Sequence, residues 1–278
     1  MNILLMGAKG QLGIDLTSAL SHDHAVTPWD VDELDITDLN AVIKAVRSLN
    51  PDLILNAAAY TDVDGCESHG ELAYRVNAIG PRNLALGALE AGAGILHIST
   101  DFVFDGEKQT PYLEFDRPNP QSVYGKSKLA GEQAIREVTP RHYILRTAWL
   151  YGHNGHNFVK TMLRLAGERD TISVVDDQVG TPTTTADLID AITAVIGTPA
   201  YGTYHATCEG ACSWYDFAAA IFRYAGVSVK VEPTSTEALG RPAKRPAYSV
   251  LDNFMLKNQL HVTLRDWESA LCAYMKNS

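Results

Sequence analysis

The first residues of the chain narrow its fold more than any other stretch. Asn2–Met6 is a short apolar run of strand length. Gly7, Gly10 and Gly13 follow at intervals of three, and Leu16 and Leu20 then recur at helical spacing. A buried strand that enters a glycine turn and leaves it as a helix belongs to a parallel α/β sheet, where the turn can cradle a pyrophosphate. The glycines permit a tight turn and close backbone approach, and the helix N-terminus offers N–H groups and partial positive charge. Gly7, Gly10, Gln11, Leu12 and Gly13 are therefore candidate dinucleotide contacts.

The pattern repeats down the chain. His24–Trp29 reads as a second strand ending at Asp30, with Asp32, Glu33 and Asp35 beyond it. A carboxylate there can accept from an adenosine ribose hydroxyl and would repel a 2′-phosphate, which leans towards NADH; Lys9 nearby works in the opposite sense. Asp38 is placed to cap a helix over Leu39–Ser48, which Asn50-Pro51 breaks before strand Leu53–Asn56. Ala57, Ala58, Ala59, Tyr60 and Thr61 follow; the small side chains would let a flat cofactor lie on the backbone. Glu71–Glu90 is mostly helical, and Asn77 within it could face inward to brace the Asn56 turn. Gly94–Ser99 and Arg141–Thr147 complete a run of strands alternating with helices. This predicts an α/β doubly wound parallel sheet of the Rossmann type over residues 1–149. Residues 150–278 read as a smaller unit, partly interleaved with the first, with helices at Asn157–Glu168, Asp187–Ile196, Trp214–Tyr224 and Trp267–Met275, a strand at Gly202–Thr207 and a loop over Asp176–Thr183.

Chemistry concentrates between Ser99 and Glu132. Strand Gly94–Ser99 delivers Ser99 and Thr100 to the carboxyl edge of the sheet, where ligands of open α/β sheets bind. Tyr124 and Lys128 lie one turn apart on the helix expected after Pro120. An ammonium beside a phenol favours phenolate, so Lys128 is expected to lower the Tyr124 pKa towards working pH. A hydroxyl from Thr100 or Ser99 could hold a carbonyl oxygen for that acid.

Composition limits the partners. The 278 residues carry a net charge of -10, a poor match for nonspecific binding to nucleic acid or an anionic membrane. A phosphate ligand would need local positive charge, and Arg241-Pro242-Ala243-Lys244-Arg245-Pro246 is the best source of it. The apolar start is too short for a signal peptide or a membrane span. Cys66, Cys208, Cys212 and Cys272 are few and irregularly spaced, as expected of free thiols in a cytoplasmic protein. His153-Asn154-Gly155-His156 and Cys208-x-x-x-Cys212 lack the further ligands a metal site needs.

In order and spacing, Gly7–Gly13, Asn56–Ala59, Ser99-Thr100-Asp101 and Tyr124-x-x-x-Lys128 resemble the extended short-chain dehydrogenases/reductases. Narrower motifs resemble the dTDP-4-dehydrorhamnose reductase family: Ser99–Gly106, Tyr124–Glu132, Arg146–Gly152, Asp177-Gln178-x-Gly180-x-Pro182-Thr183 and Arg245-Pro246-x-x-Ser249-x-Leu251. The resemblance covers essentially the whole chain. It implies hydride transfer from NADH or NADPH to C4 of dTDP-6-deoxy-L-lyxo-4-hexulose, giving dTDP-L-rhamnose. By the same resemblance Tyr124 protonates the C4 oxygen, Lys128 assists it and holds the nicotinamide ribose, and Thr100 hydrogen-bonds the reacting oxygen. Asp101, Trp149 and Arg245 would contact the sugar nucleotide, with Asn157, Phe158 and Gln178 as further lining. Cofactor contacts would be Gly10, Gln11, Leu12, Asp30, Asp35, Ile36, Ala59, Tyr60 and Thr61, besides Tyr124 and Lys128. Some members dimerise through Mg2+ held by carboxylates. Asp15 and Asp187 match two such positions, but Asn277 stands at the third, which argues for a monomer or a homodimer without the metal.

Two alternatives share the fold. One is another nucleotide-sugar reductase, an epimerase or a dehydratase; Phe102 stands where a dehydratase carries glutamate, so the second acid is missing. The other is a non-enzymatic, dinucleotide-binding regulatory subunit, such as serves methionine adenosyltransferase. The intact Thr100, Tyr124 and Lys128 favour an enzyme.

Overall fold

The strand of the N-terminal strand-turn-helix unit lies one in from the edge of a six-stranded, wholly parallel sheet. We describe the fold from a computed structural model, over residues 1–276. Strands β1 (Asn2–Met6), β2 (Ala25–Trp29), β3 (Leu53–Asn56), β4 (Gly94–Thr100) and β5 (His142–Thr147) come from the first half of the chain. Helices α1 (Gln11–Leu20), α2 (Leu39–Leu49), α3 (Val63–Ser68), α4 (Gly70–Tyr74), α5 (Gly80–Ala91) and α6 (Val123–Val138) connect them. The second half supplies short strands β6 (Leu150–Tyr151), β7 (Thr171–Val175), β8 (Val179–Gly180) and β9 (Thr183–Thr184), then β10 (Gly202–His205), β11 (Cys212–Ser213) and β12 (Lys230–Thr234). Its helices are α7 (Phe158–Ala166), α8 (Thr185–Val195), α9 (Trp214–Ala225), α10 (Thr236–Leu239), α11 (Phe254–Gln259) and α12 (Trp267–Lys276).

The sheet order is β10-β5-β4-β3-β1-β2. The chain leaves β1 for β2 on one side and returns to β3 on the other, so the crevice opens beyond the carboxyl ends of β1 and β3. Alternation along the strands feeds two cores. Ile3 and Leu5 pack with Leu16 of α1 and Leu188 and Ile192 of α8, whereas Leu4 and Met6 pack with Val42 of α2 and Leu84 of α5. Both faces are buried, which is why the strands read as continuous apolar runs. Strand β10, from the later half, pairs with β5, and α8 packs on α1. The smaller lobe has its own core, built from Tyr151, Val159, Ile172, Phe217, Ile221 and Leu271.

Local signals explain the boundaries. The Asp38 carboxylate accepts from Ala41 N at 3.1 Å to cap α2, and Asn50 ends that helix in the left-handed conformation. Three departures from the sequence expectation stand out. The segment expected to be one helix over Glu71–Glu90 is α4, a π-helical turn at Arg75–Ile79, and α5. The π turn carries Asn77 inward, fully buried, where it brackets Tyr60 rather than Asn56: Tyr60 N donates to Asn77 Oδ1 at 2.8 Å and Asn77 Nδ2 donates to Tyr60 O at 3.0 Å. The expected loop at Asp176–Thr183 contains β8, which pairs antiparallel with β11. The parallel pair β7–β12 went unanticipated because its strands lie 55 residues or more apart and are half exposed.

Candidate active site

The glycine turn is shaped by what it touches. Gly7 has φ +80°, and a Cβ there would lie 2.6 Å from Ala58 N, so strand β3's extension presses directly on the turn. A Cβ at Gly13 would collide with the Gly7 carbonyl; α1 can start this close only without a side chain. Gly10 is the N-cap of α1. A cavity of about 460 Å³ opens beside the turn, lined by Gly7, Lys9 and Gly10 on one wall and by Asp30, Asp35 and Ile36 on another. Ala58, Ala59 and Tyr60 close it below. Thr61 lies beside Tyr60, just outside the lining, and the Leu12 side chain packs into the core under the sheet.

The acidic and basic groups around this cavity are already engaged. Asp30 accepts from Lys9 N at 2.9 Å and Val31 N at 2.8 Å. Lys9 Nζ reaches Asp32 at 2.7 Å and Glu33 at 3.4 Å, not Asp30. Gln11 turns towards the second lobe, donating to Leu150 O at 3.2 Å and accepting from Asn157 Nδ2 at 3.0 Å.

Further along the carboxyl edge, β4 ends in Thr100, and the chain enters a single 3-10 turn, Asp101–Val103. Thr100 Oγ1 donates to Asp101 Oδ1 at 2.9 Å and accepts from Phe102 N at 3.2 Å. Ser122 caps α6 through Gly125 N, setting Tyr124 in the first turn and Lys128 in the second. Gly125 lets α6 lie against this turn, because a Cβ there would meet the Phe102 carbonyl; Gly131 plays the same part against Asn77 O. The Tyr124 ring packs edge-on to Phe102 at 5.5 Å.

The electrostatics depart from expectation at Tyr124. Burial pushes its phenol well above the ordinary tyrosine value; a hydrogen bond with Thr100 pulls it down and Asp101 pushes it further up. Lys128 does not lower it. The Lys128 Nζ instead donates to Ile98 O at 2.6 Å and lies 3.3 Å from His97 Nε2. Burial lowers Lys128 to about 8, against the charge of Glu132. Burial would raise Glu132, but the charges and hydrogen bonds of Arg146 and Arg136, with Ser99, bring it down to about 2. Ser99 Oγ donates to Glu132 at 2.6 Å, so its hydroxyl serves this ion pair and Thr100 alone faces the phenol.

Asp101, next to Thr100 in the same turn, is 2% exposed, and burial pushes it up to about 6 against the Ser249 and Thr100 hydroxyls. Its Oδ2 has no hydrogen-bond partner. Trp149, at φ 47°, stacks on Trp214 with ring centroids 3.5 Å apart and rests on Gly180. Phe158 packs against Trp214 and Phe217, in the second lobe's core. Asn157 caps α7, and Gln178 donates to Thr236 Oγ1 at 2.8 Å. Arg245, expected as a free counter-charge, forms a bidentate pair with Asp64 at 3.0 and 2.9 Å; Arg241 joins at 3.3 Å. That pairing holds Asp64 below the usual carboxylate range.

The expected carboxylates of a bridging Mg2+ are also engaged. Asp187 is buried and held by Arg265 at 2.7 and 2.9 Å, and Asp15 accepts from Asn154 at 2.6 Å. Asn277 lies outside the described residues. Among the described residues no group of three His, Cys, Asp or Glu is placed to hold a metal, and no helix is long and apolar enough to cross a membrane. Sequence reasoning missed Trp214, Asp64 and Ser249. Ser249 lay within the motif that begins at Arg245; nothing local marked Trp214 or Asp64, whose partners are distant in the chain.

A family model described as RmlD substrate binding domain matches residues 1–278. A dTDP-4-dehydrorhamnose reductase of Streptomyces griseus is 47% identical over 276 residues, covering 96% of this chain and 91% of the relative. The crystal structure of a dTDP-4-dehydrorhamnose reductase from Clostridium acetobutylicum superposes with a TM-score of 0.97 at 52% identity, covering 100% of this chain and 99% of that one. A Bacillus anthracis dTDP-4-dehydrorhamnose reductase, solved in complex with NADP, superposes with a TM-score of 0.98 at 44% identity, covering 100% and 99%. Similarity of this extent, over a doubly wound sheet that sets Thr100, Tyr124 and Lys128 at its carboxyl edge, establishes that the chain belongs to the dTDP-4-dehydrorhamnose reductase family of extended short-chain dehydrogenases/reductases.

Proposed function

We propose that the chain reduces the C4 ketone of dTDP-6-deoxy-L-lyxo-4-hexulose to dTDP-L-rhamnose with NAD(P)H, acting in the cytoplasm as a monomer or homodimer. The observation that carries this reading is the buried Thr100–Tyr124 pair beside Lys128, at the strand end next to a glycine-lined cleft. The cleft fits a dinucleotide: Gly7 and Gly13 stand where any side chain would strike backbone, leaving the turn bare for a pyrophosphate at the start of α1. Gly7, Gly10, Asp30, Asp35, Ile36, Ala58, Ala59 and Tyr60 would hold the cofactor's adenosine side, and Tyr124 and Lys128 its nicotinamide side. When bound, the cofactor supplies the hydride.

The protein's own part is a proton and a position. A phenol kept neutral by burial is a donor at neutral pH, and Tyr124 gives its proton to the C4 oxygen as negative charge develops there. The Thr100 hydroxyl hydrogen-bonds the same oxygen, and the Lys128 ammonium, one helical turn on, is the proton source that restores the phenol. Asp101, with an unengaged buried oxygen, accepts from a sugar hydroxyl. Trp149, backed by Trp214, offers an apolar face to the sugar nucleotide. Phe102 leaves the site without a second carboxylate, which disfavours dehydration.

The test is loss of reduced-nicotinamide absorbance with each cofactor and freshly made dTDP-6-deoxy-L-lyxo-4-hexulose, with the product identified as dTDP-L-rhamnose. Binding of dinucleotide without turnover would favour the regulatory-subunit reading.

A further inference from the structure

Behind the catalytic lysine lies a buried hydrogen-bond chain that the reaction, as derived above, leaves unused. Asn56 ends β3 and His97 lies beside it in β4; both are fully buried. The Asn56 Oδ1 accepts from Ala58 N at 3.1 Å, which orients the amide and leaves Nδ2 as a donor. That Nδ2 lies 3.0 Å from His97 Nδ1. Nδ1 must therefore accept, and full burial keeps the ring neutral, so its one proton is on Nε2. Nε2 in turn lies 3.3 Å from Lys128 Nζ.

An ammonium has no lone pair to receive that proton; an amine has one. Reversing the imidazole tautomer would set Nδ1–H against the Asn56 NH2, and reversing the amide would abandon Ala58 N. The chain Ala58–Asn56–His97–Lys128 is satisfied throughout only when Lys128 is uncharged, with one N–H still given to Ile98 O at 2.6 Å.

We propose that His97 is a positioning residue for the reduction: anchored by Asn56, it directs Nε2–H at Lys128 and holds the amine form that the lysine reaches after giving up a proton. The inference rests on the proposed roles of Tyr124 and Lys128. In the reduction the C4 carbon takes the hydride and the C4 oxygen takes the Tyr124 proton. A proton drawn from the Lys128 ammonium restores the phenol and leaves the amine, and one solvent proton restores the ammonium for the next turnover. His97 neither gains nor loses a proton; it lowers the cost of the amine stage. Besides His97, the charged and titratable groups around Lys128 and Tyr124 are Glu132 on α6, Asp101 on the turn after β4 and Cys66 on α3, and the Glu132 charge is already met by Arg146 and Arg136.

The experiment titrates Lys128 directly, by its Nζ resonance in protein labelled with ¹⁵N-lysine and assigned by its loss in Lys128→Met. Wild type, His97→Gln and His97→Phe are compared, each checked for folding by thermal melting. His97→Phe removes the donor and should raise the Lys128 midpoint by about one pH unit. His97→Gln, whose amide can donate from the place of Nε2, should leave it near wild type. The alkaline limb of kcat should move with the midpoint. An unchanged midpoint in His97→Phe, or an equal rise in His97→Gln, overturns the proposal. If His97→Phe does not fold, His97→Asn, too short to reach Nζ, takes its place. In the wild type, ¹⁵N-histidine spectra must show the Nε2–H tautomer for His97; the Nδ1–H tautomer overturns the proposal without any variant. None of these resonances depends on turnover, so failure of the proposed reaction would be seen separately.

Discussion

At the scale of single residues, the site works through burial more than through neighbouring charge. Tyr124 is a donor because desolvation keeps its proton on, and Lys128 is drawn down to about 8 for the same reason. Tyr124→Phe should lower kcat by about 10²- to 10⁴-fold, the usual worth of a positioned acid. Its cofactor Kd should stay within about twofold, as read by fluorescence titration; loss of both together would mean a structural role. Asp101 carries a cost of the same origin. Its pKa is raised in the folded protein, so folding binds protons more tightly than the unfolded chain does. The associated stability is present below the unfolded value of about 4 and is lost as pH rises to about 6. Asp101→Asn should therefore stabilise the protein at pH 7, by up to about 3 kcal/mol in urea unfolding. The difference should shrink towards pH 4, and activity should fall throughout.

At the scale of elements, α6 is held at a fixed distance from the catalytic turn by its glycines. Gly125 faces the Phe102 carbonyl and Gly131 the Asn77 carbonyl, and the π-helical turn that carries Asn77 brings this face of the structure up against α6. A methyl group at position 125 would push the helix, and Tyr124 with it, away from Thr100. Gly125→Ala should cost about 1–3 kcal/mol of stability, typical of overpacking. It should lower kcat by about 10²-fold, since small misplacements of a catalytic group are costly; urea unfolding and steady-state kinetics check the two effects. The middle of α6 is tied to β5 through Glu132 and Arg146, both buried, so the catalytic helix is anchored beyond its first turn as well.

At the scale of the whole molecule, the two lobes meet through polar contacts from distant parts of the chain. Asn157 at the start of α7 binds Gln11 at the start of α1, and Arg245 in the loop after α10 binds Asp64 in α3. The Asp64 pairing accounts for an arginine that sequence reasoning had left free to meet a diphosphate. We expect Arg245→Ala to raise the sugar-nucleotide KM by about tenfold with little change in the cofactor KM. Asp64→Asn keeps the guanidinium but releases it, and should raise the same KM less. Steady-state kinetics with both substrates varied checks the pair, and equal KM values in wild type and Arg245→Ala would remove Arg245 from the site.

The sequence by itself determined the sheet's parallel character, the glycine turn, most of the helices and the identity of the groups at the carboxyl edge. These rest on short-range periodicity, capping and spacing, which act within a few residues. Only the tertiary structure decided what those groups experience. Whether Lys128 has His97 within hydrogen-bond reach, whether Arg245 is free or bound to Asp64, and whether Asp101 is easily ionised depend on burial and on partners up to 181 residues away. The same holds for β10, which joins the first lobe's sheet from beyond residue 200, and for the pair β7–β12. Hydrogen-bond direction and desolvation are properties of a packed interior, and no local pattern in the chain encodes them.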